Sequence, residues 1–142
     1  MKMTKIFFAM LCVAALVPVA LADDAAPKSV SPTDVKNHIG ENAIVCGKVV
    51  DTKISKYGLA GHGKPVSFDI DQPEPTPIFY FVAFGTHDGG PQEAIDAYKG
   101  KQVCVTGKIA VPPSGPPFIL AADRTQIKVD AGKAAPEKPA DK

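Results

Sequence analysis

The sequence has almost no arginine: of the 16 basic residues in the 142-residue chain, only Arg124 is one. The forked guanidinium of arginine is suited to bidentate contacts with phosphate or guanine, whereas lysine is a mobile point charge. The chain also has no large excess of charge of one sign, because 15 acidic residues balance the 16 basic ones. Nucleic-acid-binding proteins usually carry an excess of positive charge. The composition therefore gives little support to sequence-specific DNA reading.

Motifs for catalysis and for metal binding are missing as well. The histidines, His38, His62 and His87, have no His-x-x-x-His spacing that would place two ligands on one element. There is no Cys-x-x-Cys pair and no recognisable Ser-His-Asp or Cys-His arrangement. The glycine-rich segment 58–64 ends in lysine but lacks the Gly-Lys-Ser/Thr signature of a P-loop. We therefore expect a protein that is not an enzyme and that holds neither a metal nor another cofactor.

Only one long apolar run is present, at the amino terminus, and it is too short for a comfortable membrane span. Lys2 and Lys5 flank the start of this run, 6–16, and residues 20–22 form a small-x-small cleavage site. We expect residues 1–22 to be a signal peptide and the protein to be periplasmic or secreted; the alternative is an uncleaved anchor. Cleavage removes two of the 16 basic residues, which leaves 14 against 15 acidic ones.

The mature chain has room for one domain with short flanking segments. Residues 23–30 are polar and rich in alanine, and we interpret them as a flexible lead-in. Residues 130–142 contain no large apolar side chain and cannot bury enough surface to offset chain entropy, so they are predicted to be a disordered tail. The domain is then 31–129.

Within the domain, alternating and helical patterns predict an all-β fold with short helices. A helix begins near Ser31-Pro32 and ends at Gly40, and a second one begins at Gly90-Pro91 and ends at Gly100. The predicted strands are 43–52, 66–70, 78–84, 102–111, and an interrupted last strand over 118–122 and 126–129. The order strand-strand-strand-helix-strand-strand, preceded by a short N-terminal helix, favours a five-stranded OB-fold barrel. Another small β-roll or an open sandwich is the alternative.

Two nearly repeated strand segments, Val45-Cys46-Gly47-Lys48-Val49 and Val105-Thr106-Gly107-Lys108-Ile109, place a glycine on the inner face, where a coiled barrel strand must bend. The segments 37–49 and 98–109, with Gln126-Ile127 in the last strand, resemble small stand-alone bacterial OB-fold proteins over about 35–129. The resemblance implies an OB domain similar to nucleic-acid-binding ones, and exported relatives are similar to periplasmic proteins that bind small ligands.

Cys46 and Cys104 are the two cysteines that remain after cleavage, and both fall on the outward phase of their strands. The first and fourth strands of an OB barrel pair antiparallel, so the two side chains could lie opposite each other. An exported protein meets an oxidising compartment, which favours a disulfide. Two free thiols, offset along the strands, are the alternative.

The third strand carries the candidate ligand site. If Phe79, Phe81 and Ala83 face the core, Tyr80 and Phe84 face outward on the usual OB binding surface, where they could stack on bases or sugar rings. The other candidate ligand-binding residues are the neighbouring polar and charged side chains Ser67, Asp69, Lys56 and Lys64. The alternative is that the aromatics pack under the N-terminal helix or the tail.

These residues predict an exported binding module with two candidate ligand classes. By resemblance, the first is single-stranded nucleic acid or an oligonucleotide-like molecule. The acidic residues Asp69, Asp71 and Glu74 favour the second, an envelope or stress protein that binds a small cationic or sugar ligand or a protein partner. A structural domain without a small ligand is a third interpretation, and the oligomeric state stays open.

Overall fold

The computed structural model of the protein describes residues 26–86 and 89–130. The predicted signal peptide, the predicted tail beyond Asp130, and His87 lie outside the described residues. The described chain forms seven strands, one α-helix and two 3-10 turns. The strands are β1 (Lys28–Val30), β2 (Asn42–Ile54), β3 (Val66–Ile70), β4 (Tyr80–Ala83), β5 (Gln102–Ala110), β6 (Phe118–Ala121) and β7 (Ile127–Val129); the helix is α1 (Gly90–Tyr98), and the 3-10 turns are Val35–Asn37 and Arg124–Gln126.

Five of the strands close into a barrel in the order β2-β3-β4-β6-β5 and back to β2. All of these pairings are antiparallel except that of β4 with β6, which is parallel. β1 and β7 extend the β2–β5 side, where β1 pairs parallel with β2 and β7 pairs antiparallel with β5. The prediction of an all-β fold with a five-stranded barrel is thereby confirmed.

β2 is the longest strand because it belongs to two sides of the barrel. Its first half pairs with β5 and its second half with β3, and the register shifts between Val49 and Asp51 where it turns the corner. Gly47 lies just before this corner, where a Cβ atom would overlap Cγ2 of Ile70. Gly107 on β5 is equally constrained, since a Cβ there would lie 2.6 Å from Ile119 Cγ2. The inward glycines predicted from the repeated segments are therefore required by close packing.

The barrel interior is filled by the apolar phase of each strand, as predicted: Val45, Val49, Val103, Val105 and Ile109 are all buried. An aromatic cluster lies beside α1, where the rings of Phe68 and Phe81 stack with centroids 4.8 Å apart. Tyr98 of α1 meets both rings edge-on, at 5.6 and 6.1 Å. Burial of such rings dominates core energetics, so α1 acts as a cover that is packed onto the barrel.

The segment before the barrel differs from the predicted lead-in and helix. Lys28–Val30, at the end of the predicted lead-in, form the edge strand β1. Between it and the barrel, the predicted helix is one 3-10 turn, Val35–Asn37. Val35 is buried, but Ile39, four residues later in the segment predicted to be helical, is 43% exposed. Pairing of β1 with β2, and of the Gly40 N–H with the Ile109 carbonyl, ties both ends of this segment and leaves no length for a longer helix.

The predicted disulfide is present. Cys46 on β2 and Cys104 on β5 are directly opposite partners in the antiparallel pair, with Cα atoms 4.0 Å apart, and their sulfur atoms are bonded. The bond joins residues 58 positions apart in the chain. It lies on the β2–β5 side of the barrel and holds together the two strands that close the cylinder.

Candidate functional site

The outer surface of β3 and β4 carries a row of side chains that runs across four strands. The register places Asp69 of β3 opposite Tyr80 of β4, Asp51 of β2 opposite Asp69, and Phe118 of β6 opposite Tyr80. Since alternate residues of a strand point to opposite faces, all four project away from the core that Phe68 and its neighbours fill. The barrel thus assembles two carboxylates and two aromatic rings into one line.

The aromatic half of this row is a stacked pair. The rings of Tyr80 and Phe118 are nearly parallel, at 12°, with centroids 5.3 Å apart. The next rung along the strands is Lys53, Ser67, Val82 and Leu120, and Leu120 is 47% exposed. Tyr80 and Phe118 therefore fix each other's orientation at one end of an outward-facing surface.

A cleft of about 610 Å³ opens over the Tyr80 end of this surface. Ser67, Asp69 and Tyr80 form its floor, and Lys56 and Tyr57 stand on the wall that the loop after β2 provides. The opposite wall comes from the turn after β3 and from the loop before β6. That wall contributes Glu74, Pro75, Pro77, Ser114, Gly115 and Pro116. Prolines and short loops make a stiff rim, which suits a preformed site.

Asp69 is the unusual residue of the cleft. Within the described residues it is the one charged side chain that is buried, with 9% of its surface exposed, and none of the ion pairs there includes it. Burial, together with the negative charges of Glu74 and Asp51, raises the pKa of the Asp69 carboxyl to about 6, although Lys53 and the Glu74 backbone N–H oppose this rise. The cleft thus holds a carboxylate that lacks a cationic partner of its own.

Lys53 and Glu74 form the charged rim above this carboxylate. Their Nζ and Oε1 atoms are 3.8 Å apart, and both side chains are well exposed. An exposed pair of this kind holds its geometry weakly. The rim is therefore able to rearrange around a ligand without disturbing the floor of the cleft.

The other two predicted ligand residues, Phe84 and Lys64, lie in a separate pocket of about 310 Å³. This second pocket is bounded by the tip of the loop before β3, the segment after β4, the start of α1 and the segment after β6; its lining includes His62 and Arg124. The His62 ring packs on Phe84 with centroids 5.4 Å apart. The six predicted residues therefore divide into four in the cleft and two in the pocket.

Several residues of the site had not been selected from the sequence. Phe118 was placed in the last strand, but its contact with Tyr80 depends on the parallel pairing of β4 with β6, which alternation within either strand does not reveal. Asp51 reaches the row only because the register shifts at the corner of β2. Tyr57, which is 83% exposed, lies in a loop where no periodic signal exists.

The comparisons with known proteins found no match to a protein-family model, to a curated protein or to a solved structure. Among residues 26–86 and 89–130, no group of three or more His, Cys, Asp or Glu side chains is arranged to hold a metal ion. His38 is instead hydrogen-bonded to Glu41 at 2.8 Å and to Asp34 at 3.2 Å, on the segment before the barrel. None of the helices in the described residues is both long and apolar enough to cross a membrane.

Proposed function

We propose that this chain is an exported binding module of the OB type, and that the cleft over Asp69 and Tyr80 is its ligand site. The fold supports the OB assignment through its five barrel strands, the helix between the third and fourth of them, and the return of the fifth strand to lie beside the third. The Cys46–Cys104 bond supports residence in an oxidising compartment such as the periplasm or the extracellular space.

The ligand class that the cleft supports best is a small molecule with a positive charge and a flat or ring-shaped body. The observation that carries this proposal is the buried Asp69 carboxylate, which is excluded from every ion pair in the described residues and lies next to the Tyr80 ring. A bound cation supplies the missing countercharge, and a ring packs on the aromatic floor.

The surroundings of Asp69 also disfavour an anionic ligand at this position. Asp51 is the cross-strand neighbour of Asp69, and the negative charge of Glu74 also acts on the Asp69 carboxyl. A phosphate group placed on the cleft floor meets like charges in a partly desolvated setting, where Coulomb repulsion is stronger than in bulk water. A cation lowers the energy of the same arrangement.

Matched pairs of charged and neutral probes test this proposal. Phenethylammonium and glucosamine are compared with 2-phenylethanol and N-acetylglucosamine by calorimetry and thermal shift at pH 7.5 and low salt. We expect the two cations to bind and their neutral analogues to bind at least about tenfold more weakly, the effect of one lost charge-assisted contact. Cation affinity should fall as the pH decreases through about 6, because protonation of Asp69 removes its charge.

Two variants complete the test. Asp69→Asn should abolish the preference for the cations, whereas Asp96→Asn, on the exposed side of α1, should leave it unchanged. Equal binding of charged and neutral probes, or a preference that survives Asp69→Asn, would contradict the proposal.

A second candidate function is the binding of single-stranded oligonucleotides. The parallel Tyr80–Phe118 pair favours it, since aromatic platforms stack on bases without sequence preference, and Lys53 and Lys56 adjoin the cleft. Fluorescence anisotropy with a labelled oligothymidylate tests it. Binding at low salt that falls steeply as salt rises supports this function, and the absence of binding at low salt removes it.

A further inference from the structure

We propose that the second pocket, over Phe84, is an independent binding site for a phosphate group. Its lining brings together three basic side chains from distant parts of the sequence: His62 and Lys64 from the loop before β3, and Arg124 from the 3-10 turn after β6. The pocket is a recess of about 310 Å³, which is ample for a phosphate group with its attached substituent.

Arg124 is held in position at this pocket by Glu93 of α1. Its Nη2 atom is 2.8 Å from Glu93 Oε1, and Glu93 also accepts hydrogen bonds from the backbone N–H and the hydroxyl of Thr86. A guanidinium has five N–H donors, so this single pairing leaves donors for another acceptor. The ion pair thereby orients a cation at the edge of the recess and does not fill it.

Lys64 supplies a further positive charge, and His62 supplies a ring that can donate a hydrogen bond. Lys64 is exposed and takes part in none of the ion pairs in the described residues. His62 is held against the Phe84 ring, so its nitrogen atoms are kept near the recess. Among the described residues that line the pocket, none carries a carboxylate. The charged side chains here are basic, whereas the floor of the cleft holds the Asp69 carboxylate.

The start of α1 reinforces this preference. Gly90 and Pro91, the first two residues of the nine-residue helix, line the pocket. The Gly90 N–H donates to the Thr86 carbonyl and Pro91 has no N–H, so the helix contributes here only the partial positive charge of its dipole. That charge adds to the three basic side chains; by itself it would not make a site.

The proposal does not depend on the cleft, although the loop 55–64 contributes walls to both sites. Phosphate should therefore bind the Asp69→Asn variant as it binds the original protein. A failure of one proposal is in this way distinguishable from a failure of the other.

The test is a titration of the ¹⁵N-labelled protein with inorganic phosphate at constant ionic strength, followed by amide chemical shifts. We expect saturable shifts confined to Gly61, His62, Gly63, Lys64, Thr86 and Gly90. Lys64→Gln should weaken phosphate binding about tenfold, as expected for loss of a charged donor. Lys64→Arg should largely restore it, and the matched control Lys56→Gln, which alters the same loop on the cleft side, should leave it within about twofold.

Three results would overturn the site. These are shifts that do not saturate, shifts centred on Lys53 and Lys56 instead of Lys64, and a Lys64→Gln variant that binds phosphate as tightly as the original protein. Spectra of the free variants establish that each is folded before it is titrated.

Discussion

The two ends of the outer β3–β4 surface have opposite chemistry although they are built alike. Each end has an outward aromatic residue of the same chain segment, Tyr80 or Phe84, and the loop 55–64 borders both. Phe84 is four positions after Tyr80, which is roughly 13 Å at the usual rise of a strand. One end holds a buried carboxylate with acidic neighbours, and the other holds exposed basic side chains.

The difference shows how strand alternation and burial act separately. Alternation brings Tyr80 and Phe84 to the same face, so it accounts for what the two ends share. Burial distinguishes them: the Asp69 side chain is buried and loses solvation, whereas the Lys64 side chain is exposed. A desolvated charge is costly unless it is paired, so the Tyr80 end is strained electrostatically and the Phe84 end is not.

The largest expected effect concerns the scaffold that the two ends have in common. Replacing both Cys46 and Cys104 with alanine should lower the free energy of unfolding by about 4 kcal/mol, because the bond closes a long loop in the unfolded chain. Urea unfolding measures this loss. Binding at both ends should survive under folded conditions, since the bond lies on the β2–β5 side; loss of binding at one end alone would break the comparison.

Asp69→Asn should stabilise the protein at neutral pH by on the order of 2–3 kcal/mol. The folded-state pKa of about 6 lies above the ordinary value of 3.8. The folded state therefore retains a proton that the unfolded state releases, and stability falls as pH rises between these values. The gain from Asp69→Asn should be complete above about pH 6 and vanish below about pH 4.

Unfolding in urea at pH 4, 5, 6 and 7.5 measures this gain, and Asp96→Asn serves as the matched control. A variant that is less stable than the original protein at pH 7.5 would contradict the view that the Tyr80 end is strained.

Replacing each aromatic residue in turn tests whether the two ends bind their ligands independently. Tyr80→Leu should weaken binding of phenethylammonium to the cleft by about 1 kcal/mol, the usual contribution of an aromatic contact beyond area burial. It should leave phosphate binding at the Phe84 pocket unchanged, and Phe84→Leu should leave phenethylammonium binding unchanged. Calorimetry with both probes on both variants measures this. Cross-effects of equal size would show that the ends form one site.

The smallest expected effect is at the Arg124–Glu93 pair. Glu93→Gln removes the carboxylate that partly neutralises Arg124 while it keeps a side chain able to hydrogen-bond Thr86. Phosphate affinity should rise about two- to threefold, the modest gain expected near an exposed surface. The amide titration measures it, and Gln92→Glu, at the preceding position of α1, is a control for nearby charge. A weaker affinity in Glu93→Gln would mean that positioning of Arg124 outweighs its neutralisation.

Much of the fold could be predicted because the alternation of apolar and polar residues along a strand indicates which side chains are buried. The buried faces, the helix over 90–98, and the opposition of Cys46 to Cys104 follow from alternation and element order. The short helix before the barrel could not be predicted correctly. Its capping residues are local signals, and tethering of both ends of the segment to the barrel overrides them.

The candidate site was predictable only in part. The outward phase identified Tyr80, Ser67 and Asp69, which the cleft indeed brings together. Phe118 and Asp51 join them through a parallel pairing and a register shift, which depend on how the sheet closes. Phe84 was grouped with Tyr80 by its outward phase, and Lys64 by its place in the loop after the first barrel strand, but the loop 55–64 borders two separate recesses.

By itself, the sequence determined which side chains face inward, where the chain turns, and which cysteines can pair, because these depend on spacing along one strand. Tertiary structure alone decided which residues share a recess and which charge is buried. The physical reason is that solvation and Coulomb energy depend on distances across the closed barrel. Asp69 therefore acquires its raised pKa, from burial and from the charges of Glu74 and Asp51, only once the strands are assembled.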